Sequence, residues 1–132
     1  MVGEDPLARL ATHHALRGLG CRLIDEAWHG RHALRLLGQE RYDLVISDWQ
    51  MRVMPGVELL SLIRQTPRLI SLPVAISVFV TPEIVAEAAE TGVSAFLPRP
   101  LVRANLDELL RIYLGPRRAN EAPLAPAPRL LN

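Results

Sequence analysis

The stretch Tyr42-Asp-Leu-Val-Ile-Ser-Asp48 limits what this chain can fold into more than any other. Leu44, Val45 and Ile46 form a continuous apolar run without polar alternation. A strand with one wet face would alternate. This one reads as buried on both faces, as in a parallel sheet covered by helices. The run ends on the carboxylate of Asp48, and Trp49-Gln50-Met51 then leads to the loop sequence Met54-Pro55-Gly56. Taken alone, Asp48 could simply be a polar strand end. In open α/β sheets, however, ligands bind beyond the carboxyl ends of the strands, which puts Asp48 where chemistry is expected.

The flanking segments alternate in the same style. Asp5-Pro6 reads as a helix cap followed by the first helical position, with Leu7, Leu10 and Ala11 at helical spacing and Gly18 or Gly20 as the stop. Cys21–Ile24 is a short strand candidate, and Gly30–Leu37 a second helix. After the Asp48 strand, Gly56 opens a third helix that Thr66-Pro67 stops. Leu72–Val78 is another apolar strand. Thr81-Pro82-Glu83 starts a helix that runs to Gly92, and Ser94–Leu97 is a further short strand. Asn105-Leu-Asp-Glu108 resembles a capping box opening a last helix, closed by Gly115-Pro116. At the start, only Met1 and Val2 are available to build a first strand. The alternation predicts an α/β domain: a doubly wound, five-stranded parallel sheet with helices on both faces, over residues 1–115. Residues 116–132, rich in Ala, Pro and Arg, read as a disordered tail or linker.

Composition excludes several classes. A chain of 132 residues fits one domain. A formal net charge of +1, with no clustered basic face, argues against direct nucleic-acid binding. All 15 basic residues other than histidine are arginine. The single cysteine, Cys21, allows no internal disulfide. No apolar run approaches the ~18 residues of a membrane span, and no signal peptide is visible, so cytoplasmic residence is expected. No Gly-rich phosphate loop follows any strand, which argues against a nucleotide site. A phosphatase of the haloacid dehalogenase type needs a second aspartate two residues after the first; Gln50 stands there.

In their order and spacing, several residues together resemble the receiver domain of bacterial two-component response regulators. They are Glu4-Asp5-Pro6, Asp48 with Trp49-Gln50-Met51, Met54-x-Gly56, Ser77, Phe96 and Arg99-Pro100. The resemblance implies the flavodoxin-like, three-layer α/β/α receiver fold. It implies that Asp48 accepts a phosphoryl group from a phosphohistidine of a sensor histidine kinase or histidine phosphotransfer protein. It also implies a Mg²⁺ held by Glu4, Asp5, Asp48 and the carbonyl of Gln50, and a switch built from Ser77, Phe96 and Arg99. The output face would be the last two helices and the Phe96 strand, meeting an output protein or a second copy. On this reading the chain is a signalling domain and not an enzyme, beyond self-catalysed phosphotransfer and autodephosphorylation.

Four positions depart from the family pattern. With Pro6 as anchor, the acidic pair falls on Gly3 and Glu4; shifted by one residue, it falls on Glu4 and Asp5. Arg99 replaces the usual lysine, Arg52 the usual proline, and the hydroxyl position falls on Ser77 or Val78 depending on alignment. These departures suit a second reading, a pseudo-receiver that acts as a protein-interaction module without phosphorylation.

Overall fold

The computed structural model describes residues 2–3, 5–115 and 129–131. In chain order the elements are α1 (Pro6–Gly18), β1 (Leu23–Asp25), α2 (Gly30–Gln39), β2 (Leu44–Asp48) and α3 (Gly56–Gln65). A 3₁₀ turn (Pro67–Leu69), β3 (Val74–Val78), α4 (Pro82–Thr91), β4 (Ala95–Pro98), α5 (Arg103–Leu114) and β5 (Arg129–Leu131) follow. The five strands form one parallel sheet in the order β1-β5-β2-β3-β4.

Every residue of β2 and β3 is buried, as their unbroken apolar runs require. Successive side chains of a strand point to opposite faces, so the runs feed two apolar layers. Val45, Val74 and Ile76 pack with Ala33 and Leu37 of α2, Leu59, Leu60 and Ile63 of α3, and Ala88 of α4. Leu44, Ile46, Ala75 and Leu97 pack with Leu16 of α1 and Leu106, Leu109 and Leu110 of α5. Each fully buried leucine or isoleucine contributes about 1.5–3 kcal/mol relative to exposure. Local signals set the helix starts. Asp5 Oδ1 accepts from the Leu7 amide at 3.0 Å, and Thr81 Oγ1 from the Ile84 amide at 3.3 Å.

The structure departs from the sequence reading in three places. Val2 is no full strand but makes isolated parallel bridges to Ala27 and Ser47; Met1 and Glu4 lie outside the described residues. The last helix starts at Arg103, two residues before the expected cap. The amides of Asn105 and Leu106 already donate to the Val102 carbonyl, at 3.0 and 3.2 Å, so Asn105 is a first-turn residue and caps nothing. Third, Arg129–Leu131, expected in a disordered tail, form the strand between β1 and β2. Residues 116–128 and Asn132 lie outside the described residues.

Arg64 ties one flank of the sheet together. Its guanidinium donates to the carbonyls of Gly92 (2.8 Å) and Leu72 (2.6 Å) and to Ser94 Oγ (3.1 Å). One side chain thus joins α3 to the entrances of β3 and β4. Hydrogen bonds to a charged group contribute about 1.5–3 kcal/mol. Arg64→Met keeps the apolar stem but removes every donor, and is expected to cost about 2–3 kcal/mol on that basis, read by urea unfolding. A loss below about 0.5 kcal/mol, the scale of an ordinary surface change, would contradict this role.

Candidate functional site

Three strand ends converge on one carboxylate. Asp48 closes β2, and its register partner on β3 is Ser77. Arg99 follows β4, its amide donating to the Val78 carbonyl at 2.9 Å, and the Arg99–Pro100 peptide is cis. The Arg99 side chain then reaches back across the sheet. Its Nη2 donates to Asp48 Oδ1 in an ion pair, and its Nε donates to Ser77 Oγ at 3.1 Å. The register therefore makes Ser77, and not Val78, the hydroxyl beside Asp48.

The frame around Asp48 is backbone. The Asp48 amide donates to the Val2 carbonyl at 2.9 Å, the Trp49 amide to the Ser77 carbonyl at 3.2 Å, and the Gly56 amide to the Trp49 carbonyl at 2.9 Å. Two glycines permit the close approach. A Cβ on Gly56 would overlap the Asp48 carbonyl oxygen, and one on Gly3 would overlap Asp48 Oδ2. No side chain, acidic or otherwise, fits at Gly3 while Asp48 keeps this position. Arg9, which the sequence reading did not single out, donates to the Gly3 carbonyl and lies 3.9 Å from Glu26. Its signal was available: it sits one helical turn after the Asp5 cap, on the side of the chain's start.

Asp48 is 6 % exposed. Burial pushes its carboxyl above the usual carboxylate range, and the Arg99 charge and hydrogen bond pull against that shift. Asp48 so combines a strand-end position, a cation and a perturbed carboxyl, a combination typical of functional sites. Trp49 is buried in the layer of α2 and α3, and Gln50 is exposed. Phe96 is half-buried against that same layer, its β3 neighbour being Ile76. Two openings lie nearby, one lined by Trp49, Gln50, Met51, Arg52 and Pro55, which follow Asp48, the other by Ala8, Ala11, Thr12, Ser77, Phe79, Arg99, Pro100 and Leu101, which include both partners of the guanidinium bridge to Ser77.

Mg²⁺ prefers oxygen ligands and takes one or two carboxylates. The described residues fit it only in part. Asp48 already gives Oδ1 to Arg99, and Asp5 spends Oδ1 on the α1 cap. Among the described residues, no group of three or more His, Cys, Asp and Glu could hold a metal ion. Glu4, the remaining acid of the expected cluster, lies outside the described residues.

A parallel five-stranded sheet covered by helices on both faces, with a buried aspartate, a hydroxyl and a cation at its carboxyl edge, defines a receiver-type α/β/α protein. The family model for the response regulator receiver domain matches residues 1–111, and the chain belongs to that family. It is 37% identical over 111 residues to the chemotaxis protein CheY-3 of Vibrio cholerae serotype O1, covering 83% of this chain and 85% of the relative. Identity to the chemotaxis protein CheY of Pseudomonas aeruginosa is 36% over 112 residues, covering 82% and 88%. Among solved structures, chemotaxis protein CheY4 of Vibrio cholerae superposes with a TM-score of 0.79 at 26% identity, covering 85% of this chain and 93% of that one. The receiver domain of a Pseudomonas aeruginosa sensor histidine kinase, solved with magnesium in its active-site cleft, gives 0.78 at 24% identity, covering 87% and 94%. The membership makes this chain a receiver of the kind that acts in phosphorelay signalling. No helix among the described residues is long and apolar enough to cross a membrane.

The raised Asp48 carboxyl fixes the sign of a pH effect. In the unfolded chain it titrates in the ordinary range, and in the folded protein at a higher pH. Its contribution to stability is full below the ordinary range and is lost as pH rises through the raised value, where a charge must be buried. The melting temperature of the parent is therefore expected to fall relative to Asp48→Asn across that window. Calorimetry of both proteins through the window checks this, and a constant difference between them would contradict it.

Proposed function

We propose that Asp48 is the sole phosphorylation site, taking its phosphoryl group from a phosphohistidine of a sensor histidine kinase or histidine phosphotransfer protein. One observation carries this reading: a single guanidinium bonded to the Asp48 carboxylate and to the Ser77 hydroxyl at the ends of neighbouring strands. A carboxylate is a weak nucleophile, but a phosphohistidine is already activated. The P–N bond of the donor breaks as a P–O bond to Asp48 forms, and the imidazole leaves with the electron pair and is protonated. The protein need only position the groups and neutralise charge.

The arriving group adds about −1.5 to −2 charge and three acceptor oxygens. Arg99, already at the carboxylate, supplies a forked donor for them. Mg²⁺, held by Asp48 with Glu4 or Asp5 and the Gln50 carbonyl, would add charge neutralisation when bound. With Asp5 engaged as a cap, that binding is expected to be weak. The drawing-in of Ser77 by the phosphoryl group would open space for Phe96 to turn inward. The face of α4, β4 and α5 would then change toward an output protein or a second copy. A coupling of about 1–3 kcal/mol is enough to shift a pre-existing equilibrium.

The test is intact mass after treatment with acetyl phosphate, with and without Mg²⁺. The parent is expected to gain one phosphoryl group, faster with Mg²⁺, and Asp48→Asn none. Arg99→Ala is expected to slow the gain about 10²-fold, the scale of losing one oxyanion donor. A gain that survives Asp48→Asn would sink the assignment. A parent that never gains the mass, even from phosphorylated kinases, would return the chain to the pseudo-receiver reading.

A further inference from the structure

The interior slot of the sheet between β1 and β2 is filled from two distant parts of the chain. Arg129, Leu130 and Leu131 enter it at the amino end, pairing with Leu23, Ile24 and Asp25 on one side. On the other side, Leu130 and Leu131 pair with Leu44 and Val45. Val2 enters at the carboxyl end and bridges Ala27 and Ser47. Along β2, Leu131 lies opposite Val45 and Val2 opposite Ser47, so one position, facing Ile46, separates them. Along β1, Leu131 lies opposite Asp25 and Val2 opposite Ala27, again leaving one position, facing Glu26.

The side chains keep the pleat across that position. Leu130 packs in the layer of α1 and α5, whereas Leu131 and Val2 both pack in the layer of α2 and α3. Two residues on either side of a single strand position must share a face. β5 and Val2 thus behave as one composite strand. Leu130, Leu131 and Val2 are all 0% exposed. The upper part of this strand bears directly on the acceptor. The Val2 carbonyl receives the Asp48 amide at 2.9 Å, the Val2 amide donates to the Ile46 carbonyl at 2.9 Å, and Gly3 lies against the Asp48 carboxylate.

We propose that the slot is a binding site for an extended peptide with two adjacent leucines, that its occupant is the chain's own segment Arg129–Leu131, and that its seating sets the geometry of Asp48. In the sheet order β1 and β2 are joined through β5, and among the described residues Val2 also bridges Ala27, just past β1, to Ser47 of β2. An empty lower slot leaves the slot-facing edge of the buried Leu44–Val45 backbone unpaired, a state that buried backbone groups avoid, and takes the pairing partner from the half-exposed Leu23–Asp25 edge. β1 and β2 then lose the spacer that holds Val2 in register, and Asp48 loses its amide partner. The functional arm of this inference rests on Asp48 being the phosphoacceptor; the structural arm does not.

Two full-length proteins test it. In the first, Cys21→Ser removes the native thiol, and Leu44→Cys with Leu130→Cys places sulfurs on register partners, within the Cα spacing a disulfide accepts. Oxidation at high dilution is expected to give a monomer with an internal disulfide and an unchanged Asp48 amide resonance. In the second, Leu130→Asp with Leu131→Asp expels β5. The Asp48 resonance is expected to move or broaden, and phosphoryl gain from acetyl phosphate to slow at least tenfold. A synthetic peptide of residues 126–132 added in trans is expected to restore both, and the same peptide with both leucines replaced by aspartate neither. Failure of the disulfide to form, or its formation between copies, would overturn the occupancy. An undisturbed Asp48 resonance in the second protein, or one that the peptide cannot restore, would overturn the coupling. If no form gains a phosphoryl group, the acceptor reading fails, while the disulfide and the resonance still decide the slot.

Discussion

The contact on which this site depends is the Arg99 guanidinium against the Asp48 carboxylate. A carboxylate as buried as Asp48 is costly to ionise, and its raised pKa records that cost. Arg99 supplies the opposing charge and remains partly open to solvent, with 30% of its side chain exposed. The guanidinium's forked donors also let one side chain serve Asp48 and Ser77 together, a geometry that the point charge of a lysine does not share. The departure from the family's lysine therefore changes how the site is held: carboxylate and hydroxyl are linked through one rigid plane. On the proposed reading, incoming phosphoryl oxygens would compete with Asp48 for those donors.

The rest of the molecule serves to bring these groups together. β2 and β3 are buried along their whole length, which fixes their register and puts Asp48 beside Ser77. Gly3 and Gly56 let backbone approach Asp48 where any Cβ would collide. At Gly3 the missing side chain lets the Asp48 carboxylate occupy the space that a Cβ would take.

Features that are local in sequence were legible. The apolar runs of β2 and β3, the Asp5 and Thr81 caps and the stop at Gly92 each carry their own signal, and the structure has them where the residues suggest. Asp48 and Arg99, singled out by position and resemblance, lie in contact, whereas Phe96 packs against the layer of α2 and α3; the choice between Ser77 and Val78 as the residue beside Asp48 needed the β2–β3 register, a non-local fact. The start of α5 was misplaced because a box-like sequence was given priority over the turn already begun at Val102. β5 was missed altogether. Three residues after an Ala- and Pro-rich stretch have no periodicity of their own, and only the vacancy between β1 and β2 gives them a structure. Arg9 escaped notice because a lone helix arginine is ordinarily a surface charge.

The central claim is that Arg99 holds Asp48 in the resting protein and passes to the phosphoryl group when it arrives. The Arg99 Nε–H resonance reports this directly, since that proton is bonded to Ser77 Oγ. In ¹⁵N-labelled protein, beryllofluoride, which mimics the phosphoryl group on a carboxylate, is expected to shift that resonance together with the Ser77 amide and the amides of Phe96 and the start of α5. An Arg99 Nε–H that stays unmoved while beryllofluoride binds at Asp48 would contradict the account.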